Sequence, residues 1–344
     1  DPSDRRGGLG GSRPNVARWL GDIRTYFPAP VVQVLQRDAI ERLGLRQLLL
    51  EPELLAEVEP DVHLVADLVA LANVIPERTR DTARQVVRQV VEQLQRRLAQ
   101  RLVTAVTGAI DRSSRTRRPK LPDVDWGRTI LANLRTYDPK RRTVVPEQLV
   151  GHARRRRQGR LKDVIVCLDQ SGSMATSVVY GSVMAAVLAS MPALRTSLVV
   201  FDTEVADLTE HLHDPVDLLF GVQLGGGTDI ARAVAYCQQL VGRPADTVLV
   251  LVTDLYEGGD ADQLRARIAS LVQSGVTVVC LLALSDSGAP SHDDDLAAQL
   301  AAVGVPCFAC TPDLFPDLMA GAIEGRDVGA WAELAGLATT RAPG

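Results

Sequence analysis

From residue 163 onward, short apolar runs alternate with stretches of helical length. The runs at 164–168, 197–201, 247–252, 276–282 and 305–309 are rich in Val, Leu and Cys and read as buried strands. Between them, 175–191, 230–241, 261–274, 293–303 and 314–323 have the length and patterning of helices. Strands that are apolar on both faces and separated by helices specify a mostly parallel sheet covered on both sides. The predicted class is therefore α/β, an open, doubly wound, Rossmann-like sheet, with 203–207 turning back as a short antiparallel edge hairpin. In such sheets ligands bind beyond the carboxyl ends of the strands, where strand order reverses.

Charge divides the chain into three parts. Residues 1–111 balance 15 basic against 15 acidic side chains, 112–162 carry 16 against 4, and 163–344 carry 7 against 23. In the first part Val87, Val91, Leu94, Leu98, Leu102, Val106 and Ile110 recur at spacings of three and four, one face of a long helix. Helix-like runs at 31–50 and 62–74 end near Pro52, Pro60 and Pro76. The expected organisation is a disordered tail (1–14), a helical N-terminal domain (15–111), a basic connector (112–162), the α/β domain (163–325) and a C-terminal tail (326–344).

The basic part holds Arg115 to Lys120, Lys140 to Arg142, and Arg154 to Arg157. One reading is a nucleic-acid surface, since phosphate contacts need clustered Arg and Lys. The other is a connector lying on the acidic domain, and the scarcity of aromatics for base stacking (Trp126 and Tyr137) favours it. An apolar fraction of 46% fits a globular protein. No window approaches the ~18 uninterrupted apolar residues of a membrane span, so no membrane partner is expected. The polar, glycine-rich start lacks the apolar centre of a signal peptide.

Five cysteines sit mostly inside apolar runs and read as core residues, which favours a reducing, cytoplasmic compartment. Cys307 and Cys310 have the spacing of half a zinc site, but no second pair and no nearby His accompany them. His211 and His213 read as a solvated loop rather than a metal pair.

At the end of the first strand stands Asp169-Gln170-Ser171-Gly172-Ser173. It places a carboxylate and two hydroxyls at alternate positions. Gly225-Gly226-Gly227-Thr228 and Thr253-Asp254 follow at later strand and loop ends. Hard divalent cations take oxygen ligands of this kind. Asp169, Ser171 or Ser173 could instead cap the helix near Ala175, and Asp229 is assigned to capping the helix at Ile230. Asp293 to Asp295 read as an acidic helix start.

The five residues Asp169, Ser171, Ser173, Thr228 and Asp254, on this strand–helix alternation, resemble a von Willebrand factor A (VWA) domain with a metal-ion-dependent adhesion site. The resemblance covers about 163–325. Together with Asp125 to Arg135 and the arginine run upstream, it is similar to the bacterial CoxE-like proteins. Those are typically paired with MoxR-type AAA+ ATPases in metal insertion or complex maturation, so the resemblance implies an AAA+ ATPase, or its client, as partner.

Chemically, Ser171 and Ser173 would bind Mg²⁺ directly, with Mn²⁺ or Ca²⁺ as alternatives. Thr228 would bind directly or through water, and Asp169 and Asp254 mainly through water. A partner Asp or Glu then completes the shell. No catalytic residue is assigned. The expected function is a non-enzymatic, metal-dependent protein-interaction module. Mg²⁺-dependent phosphoryl transfer and RNA binding through 112–162 are the alternatives. Ser171 stands where a phosphatase of the haloacid-dehalogenase type commonly has its second, proton-donating Asp. No P-loop is present.

Overall fold

The computed structural model describes residues 26–42, 49–113, 115–116, 121, 124–139, 142–152, 162–221, 226–286 and 291–340. The expected tail at 1–14, Gly225 and most of the arginine runs, including Arg154 to Arg157, lie outside these residues. The chain divides into two compact units, Asp1–Val90 and Val91–Gly344. The division falls inside a long helix.

The first unit holds α1 (Ala29–Arg42), α2 (Pro52–Glu57), α3 (Val62–Ala70) and the start of α4 (Glu77–Ser113). Asp61 caps α3 by accepting a hydrogen bond from Leu64 N at 2.7 Å. Leu64, Val65, Leu68 and Val69 of that helix are buried, as is Val87 of α4.

In the second unit the apolar stripe of α4 continues through Val91, Leu94, Leu98, Leu102 and Val106, all buried. A small module follows, made of β1 (Arg115–Thr116), α5 (Trp126–Ala132), β2 (Tyr137–Asp138), β3 (Thr143–Val144) and β4 (Gly151–His152). β1 pairs with β4 and β2 with β3, both antiparallel.

The α/β domain contains β5 (Lys162–Asp169), α6 (Ala175–Ala189), β6 (Leu194–Phe201), β7 (Val205–Asp207), α7 (Pro215–Gly221), α8 (Ile230–Leu240), β8 (Thr247–Val252), α9 (Ala261–Ser274), β9 (Thr277–Leu284), α10 (Asp294–Ala302), β10 (Cys307–Cys310), α11 (Phe315–Glu324) and α12 (Val328–Leu334). Its six strands run in the order β10-β9-β8-β5-β6-β7. All neighbours are parallel except β6 and β7, the expected edge hairpin. The chain leaves β5 toward β6 and returns on its other side at β8. The gap between the carboxyl ends of β5 and β8 is therefore the switch point of the sheet.

Every residue of β8 is buried, as expected of a central strand in a two-sided core. One face packs Ile165, Cys167, Leu249, Leu251 and Cys280 against Val234 of α8 and Ile268 of α9. The stretch Gly172–Ala189 is long and apolar enough to cross a membrane by composition, but it is mostly buried within the protein. The segment 326–344, expected as a tail, instead carries α12. Its Trp331 ring lies 6.3 Å from that of Phe308, and Thr339 bridges to Phe308.

At the amino ends of the strands, Asp163 is buried and ion-paired with Arg195 at 3.1 Å and Arg243 at 3.3 Å. On the opposite edge, Arg97 of α4 reaches Asp313 at 2.7 Å. The five cysteines are buried and free.

Candidate metal centre

β5 delivers Asp169 to the carboxyl edge of the sheet, paired in register with Phe201. The ladder extends one residue further, with Gln170 N donating to Phe201 O at 2.8 Å. The chain then turns sharply through the 3-10 segment Gly172–Met174, closed by Met174 N donating to Ser171 O at 2.9 Å. α6 begins only at Ala175, and no side chain caps it. Asp169, Ser171 and Ser173 are thus not spent on capping.

Their side chains face one another instead. Asp169 Oδ1 accepts from Ser171 N at 2.8 Å. The Ser171 and Ser173 hydroxyls lie 3.2 Å apart, and Ser173 donates to Asp254 Oδ2 at 2.5 Å. Four of the five predicted residues therefore form one hydrogen-bonded cluster across the switch point.

A residue without a predicted role completes it. Thr253 is fully buried, donates its hydroxyl to Asp169 Oδ2 at 2.7 Å, and accepts from Leu255 N at 3.1 Å. One hydroxyl thereby fixes the first carboxylate and the turn that aims the second. The Thr-Asp pair after an apolar run was the only available signal. Leu255 adopts φ of 64° with its side chain fully buried, a backbone conformation rare for a bulky residue. The turn is also held by Asp293 N donating to Asp254 O at 3.0 Å.

Thr228 reaches the same edge by another route. Asp229 N donates to Asp202 O at 2.8 Å beyond β6, and Gly258 N donates to Thr228 O at 2.8 Å beyond β8. The Thr228 side chain shares no hydrogen bond with the cluster among the described residues. Asp229 caps α8 through Arg232 N at 2.8 Å, as predicted. Glu257 also serves that helix, accepting from Ile230 N at 2.9 Å, and its partial burial raises its pKa.

Asp169 and Asp254 are 1% and 3% exposed, and no ion pair joins either to a basic side chain among the described residues. Burial raises the pKa of Asp169 against the hydrogen bonds from Thr253 and Ser171, and the charge of Asp254 adds to the rise. Two buried carboxylates without a counter-charge are costly. Ser171 and Ser173 remain partly open to solvent. This donor set, two carboxylates and neutral hydroxyls with one open side, fits a hard divalent cation.

The weaker candidates fall away. His211 ends a 3-10 turn, and His213 Nδ1 lies 2.8 Å from Glu210 O. Cys307 packs in the core beside Cys280, and burial pushes the Cys310 thiol up to about 12. Asp293 caps α10 through Leu296 N. Among the described residues no three His, Cys, Asp or Glu side chains gather as a metal site.

Residues 94–319 match the family model of VWA domain containing CoxE-like proteins. The uncharacterized protein YehP of Escherichia coli (strain K12) is 39% identical over 309 residues, covering 90% of this chain and 82% of that protein. An aerotolerance-related membrane protein from Bacteroides fragilis NCTC 9343 aligns over 48% of this chain and 99% of its own, at 16% identity and a TM-score of 0.37. A von Willebrand factor type A protein from Catenulispora acidiphila aligns over 51% and 44%, at 12% identity and a TM-score of 0.38.

Proposed function

The chain belongs to the CoxE-like VWA family, and from that premise we propose that it is a non-enzymatic protein-interaction module whose binding depends on a divalent metal. The observation that carries this reading is the cluster of Asp169, Ser171, Ser173 and Asp254, whose two buried carboxylates meet no basic side chain among the described residues. Ser171, Ser173 and Thr228 would supply neutral oxygens to Mg²⁺, and Asp169 and Asp254 would balance its charge while orienting the hydroxyls. Mn²⁺ and Ca²⁺ suit the same donor types.

With an ion held by these residues, the site would supply a Lewis acid able to bind a partner's Asp or Glu side chain. The residues of the chain make that site selective. Thr253 and the Leu255 turn hold the carboxylates in place before any partner arrives, which lowers the ordering cost of binding. Phosphoryl transfer is disfavoured because Ser171 occupies the place of a proton-donating carboxyl. The partner we propose is a MoxR-type AAA+ ATPase or its client, in a cytoplasmic maturation or metal-insertion step. The five free, buried thiols suit a reducing compartment.

The test is affinity purification of the full chain in Mg²⁺ and in EDTA, beside Asp169→Ala and the Ser171→Ala, Ser173→Ala double variant. Proteins retained only by the wild type in Mg²⁺ support the reading. Equal retention in EDTA, or by the folded variants, refutes it.

A further inference from the structure

The loops around the metal centre carry more negative charge than the centre itself uses. Asp202 follows β6, and its carbonyl accepts from Asp229 N at 2.8 Å. Asp229 adjoins Thr228, whose carbonyl accepts from Gly258 N at 2.8 Å. Glu257 precedes that glycine and accepts from Ile230 N at 2.9 Å. On the other flank, Asp293 N donates to Asp254 O at 3.0 Å. Asp202, Asp229, Glu257 and Asp293 therefore border Thr228 and Asp254 on the carboxyl edge of the sheet.

Backbone N–H groups, not basic side chains, hold these carboxylates. Asp202 Oδ1 accepts from Glu204 N at 2.6 Å, Asp229 Oδ1 from Arg232 N at 2.8 Å, and Asp293 Oδ1 from Leu296 N at 2.8 Å. The basic side chains of the same loops are engaged by other acids. Arg232 spans both oxygens of Glu204 at 3.0 and 2.7 Å, and His292 lies 3.1 Å from Asp294. Among the described residues no ion pair joins Asp202, Asp229, Glu257 or Asp293 to a cation.

This ring decides what a partner must bring. Asp169 and Asp254 already match the charge of a divalent ion, so the four bordering carboxylates remain in excess. Loops joined by hydrogen bonds keep such charges within reach of one another on the scale of the ~8 Å Debye length, and salt does not remove their field. A bare acid, or polyanionic nucleic acid, would meet like charge on approach, which costs affinity. An acid carried between cations would meet opposite charge instead.

One aromatic side chain adds to that preference. From 162 to 340 the described residues expose two large apolar side chains, Tyr256 and Leu334. Tyr256 stands two residues after Asp254, with its backbone N 3.4 Å from Asp254 Oδ1. Its ring is 49% exposed, and its hydroxyl shares a hydrogen bond with Ser291 Oγ at 2.5 Å. A tethered Tyr ring beside carboxylates suits Lys or Arg, which can pair with the acids and lie on the ring.

We infer that the partner presents its metal-binding Asp or Glu from a basic segment, with Lys or Arg close on both sides of it. Those cations pair with Asp202, Asp229, Glu257 and Asp293 and contact Tyr256. The inference rests on the metal-dependent reading above and adds the sequence class of the partner.

The experiment passes a phage library of short random peptides with a fixed central Asp over the immobilised full chain in Mg²⁺, elutes with EDTA and sequences the eluate. Lys and Arg should be enriched on both sides of the Asp relative to the unselected library. A selected peptide is then titrated, at saturating Mg²⁺, against the wild type and the Asp202→Asn, Asp229→Asn, Asp293→Asn variant. Each amide keeps the oxygen that accepts the backbone bond, so the caps are retained. Affinity should fall about tenfold, the combined effect of three exposed ion pairs. The difference should vanish for the same peptide with Gln in place of its Lys and Arg, which a merely damaged fold would not produce. Tyr256→Ala should weaken the selected peptide about two- to fivefold. An EDTA eluate without Lys or Arg enrichment overturns the inference and leaves the metal reading standing, as does an equal loss for both peptides. An empty EDTA eluate refutes the metal reading, and this inference with it.

Discussion

Gly258 offers the sharpest test of whether Thr228 is a ligand. A Cβ at this position would lie 2.7 Å from Thr228 O, the same carbonyl that accepts the Gly258 N–H at 2.8 Å. That is about 0.7 Å short of ordinary van der Waals contact, and the obstacle is backbone. Gly258→Ala must therefore push the two loops apart and weaken their hydrogen bond. The fold should lose about 1–3 kcal/mol, the range for overpacking, which includes the ~1 kcal/mol of a neutral hydrogen bond.

Metal binding should suffer separately. Mg²⁺ demands near-ideal octahedral geometry at ~2.1 Å, so a ligand moved by half an ångström is effectively lost. If one oxygen–cation contact is worth about 1.4–2.8 kcal/mol, on the scale of a hydrogen bond to a charged group, affinity falls ten- to a hundredfold. Calorimetric titration with Mg²⁺, beside urea unfolding of the apoprotein, separates the two effects. Gly221→Ala, where an added Cβ meets nothing within 4 Å, is the control. Unchanged Mg²⁺ affinity in a folded Gly258→Ala would remove Thr228 from the ligand set.

Saturating Mg²⁺ at a hundred times its dissociation constant should stabilise the wild type by about 2.7 kcal/mol, and Asp169→Asn should abolish that gain in a thermal melt. Gly181→Ala would place a Cβ 2.7 Å from Leu168 Cδ2, costing about 1–3 kcal/mol, and Leu168→Val should restore part of it in a double-mutant cycle. Asp163→Ala should cost only about 1–2 kcal/mol in urea, because Arg195 and Arg243 remain half in water once the carboxylate is gone, and should leave Mg²⁺ binding intact. Asp207 is pushed up by partial burial, but bonds from Thr209 and Tyr236 bring it net below the usual carboxylate range. Its stabilisation is therefore present above the unfolded pKa and lost as pH falls through the folded one, so Tyr236→Phe should flatten the acid limb of stability against pH.

The parts of this fold that were legible are those where one physical signal dominates. β8 is legible to its ends because six consecutive buried residues leave no competing pattern. α9 is legible to its ends because Asp260 caps it through Gln263 N and Gly275 closes it at φ of 99°. α7 is not legible, because seven residues give too short a period to read. α12 is not legible from local pattern, because its contacts, Trp331 on Phe308 and Thr339 across from the same residue, are distant in sequence. The site shows the same division. Asp169, Ser171, Ser173 and Asp254 stand out as oxygen donors at strand ends. Thr253 does not, because its value lies in a register that brings β8 alongside β5. Trp126, Ile130 and Leu134 are spaced like core residues but are exposed, while Thr129 and Asn133 are buried and bonded to the backbone of Val150, Gln148 and Glu147.

That inversion has a thermodynamic consequence. Unfolding heat capacity arises from apolar surface newly exposed to water and is reduced by polar surface. The α5 module keeps its apolar stripe wet and buries amide and hydroxyl groups, so opening it adds little to the heat capacity of the chain. Its loosening should pass unseen in a calorimetric trace dominated by the parallel sheet. Amide hydrogen exchange at Val150, Glu147 and Gln148 would report it, well below the denaturation of the domain beside it.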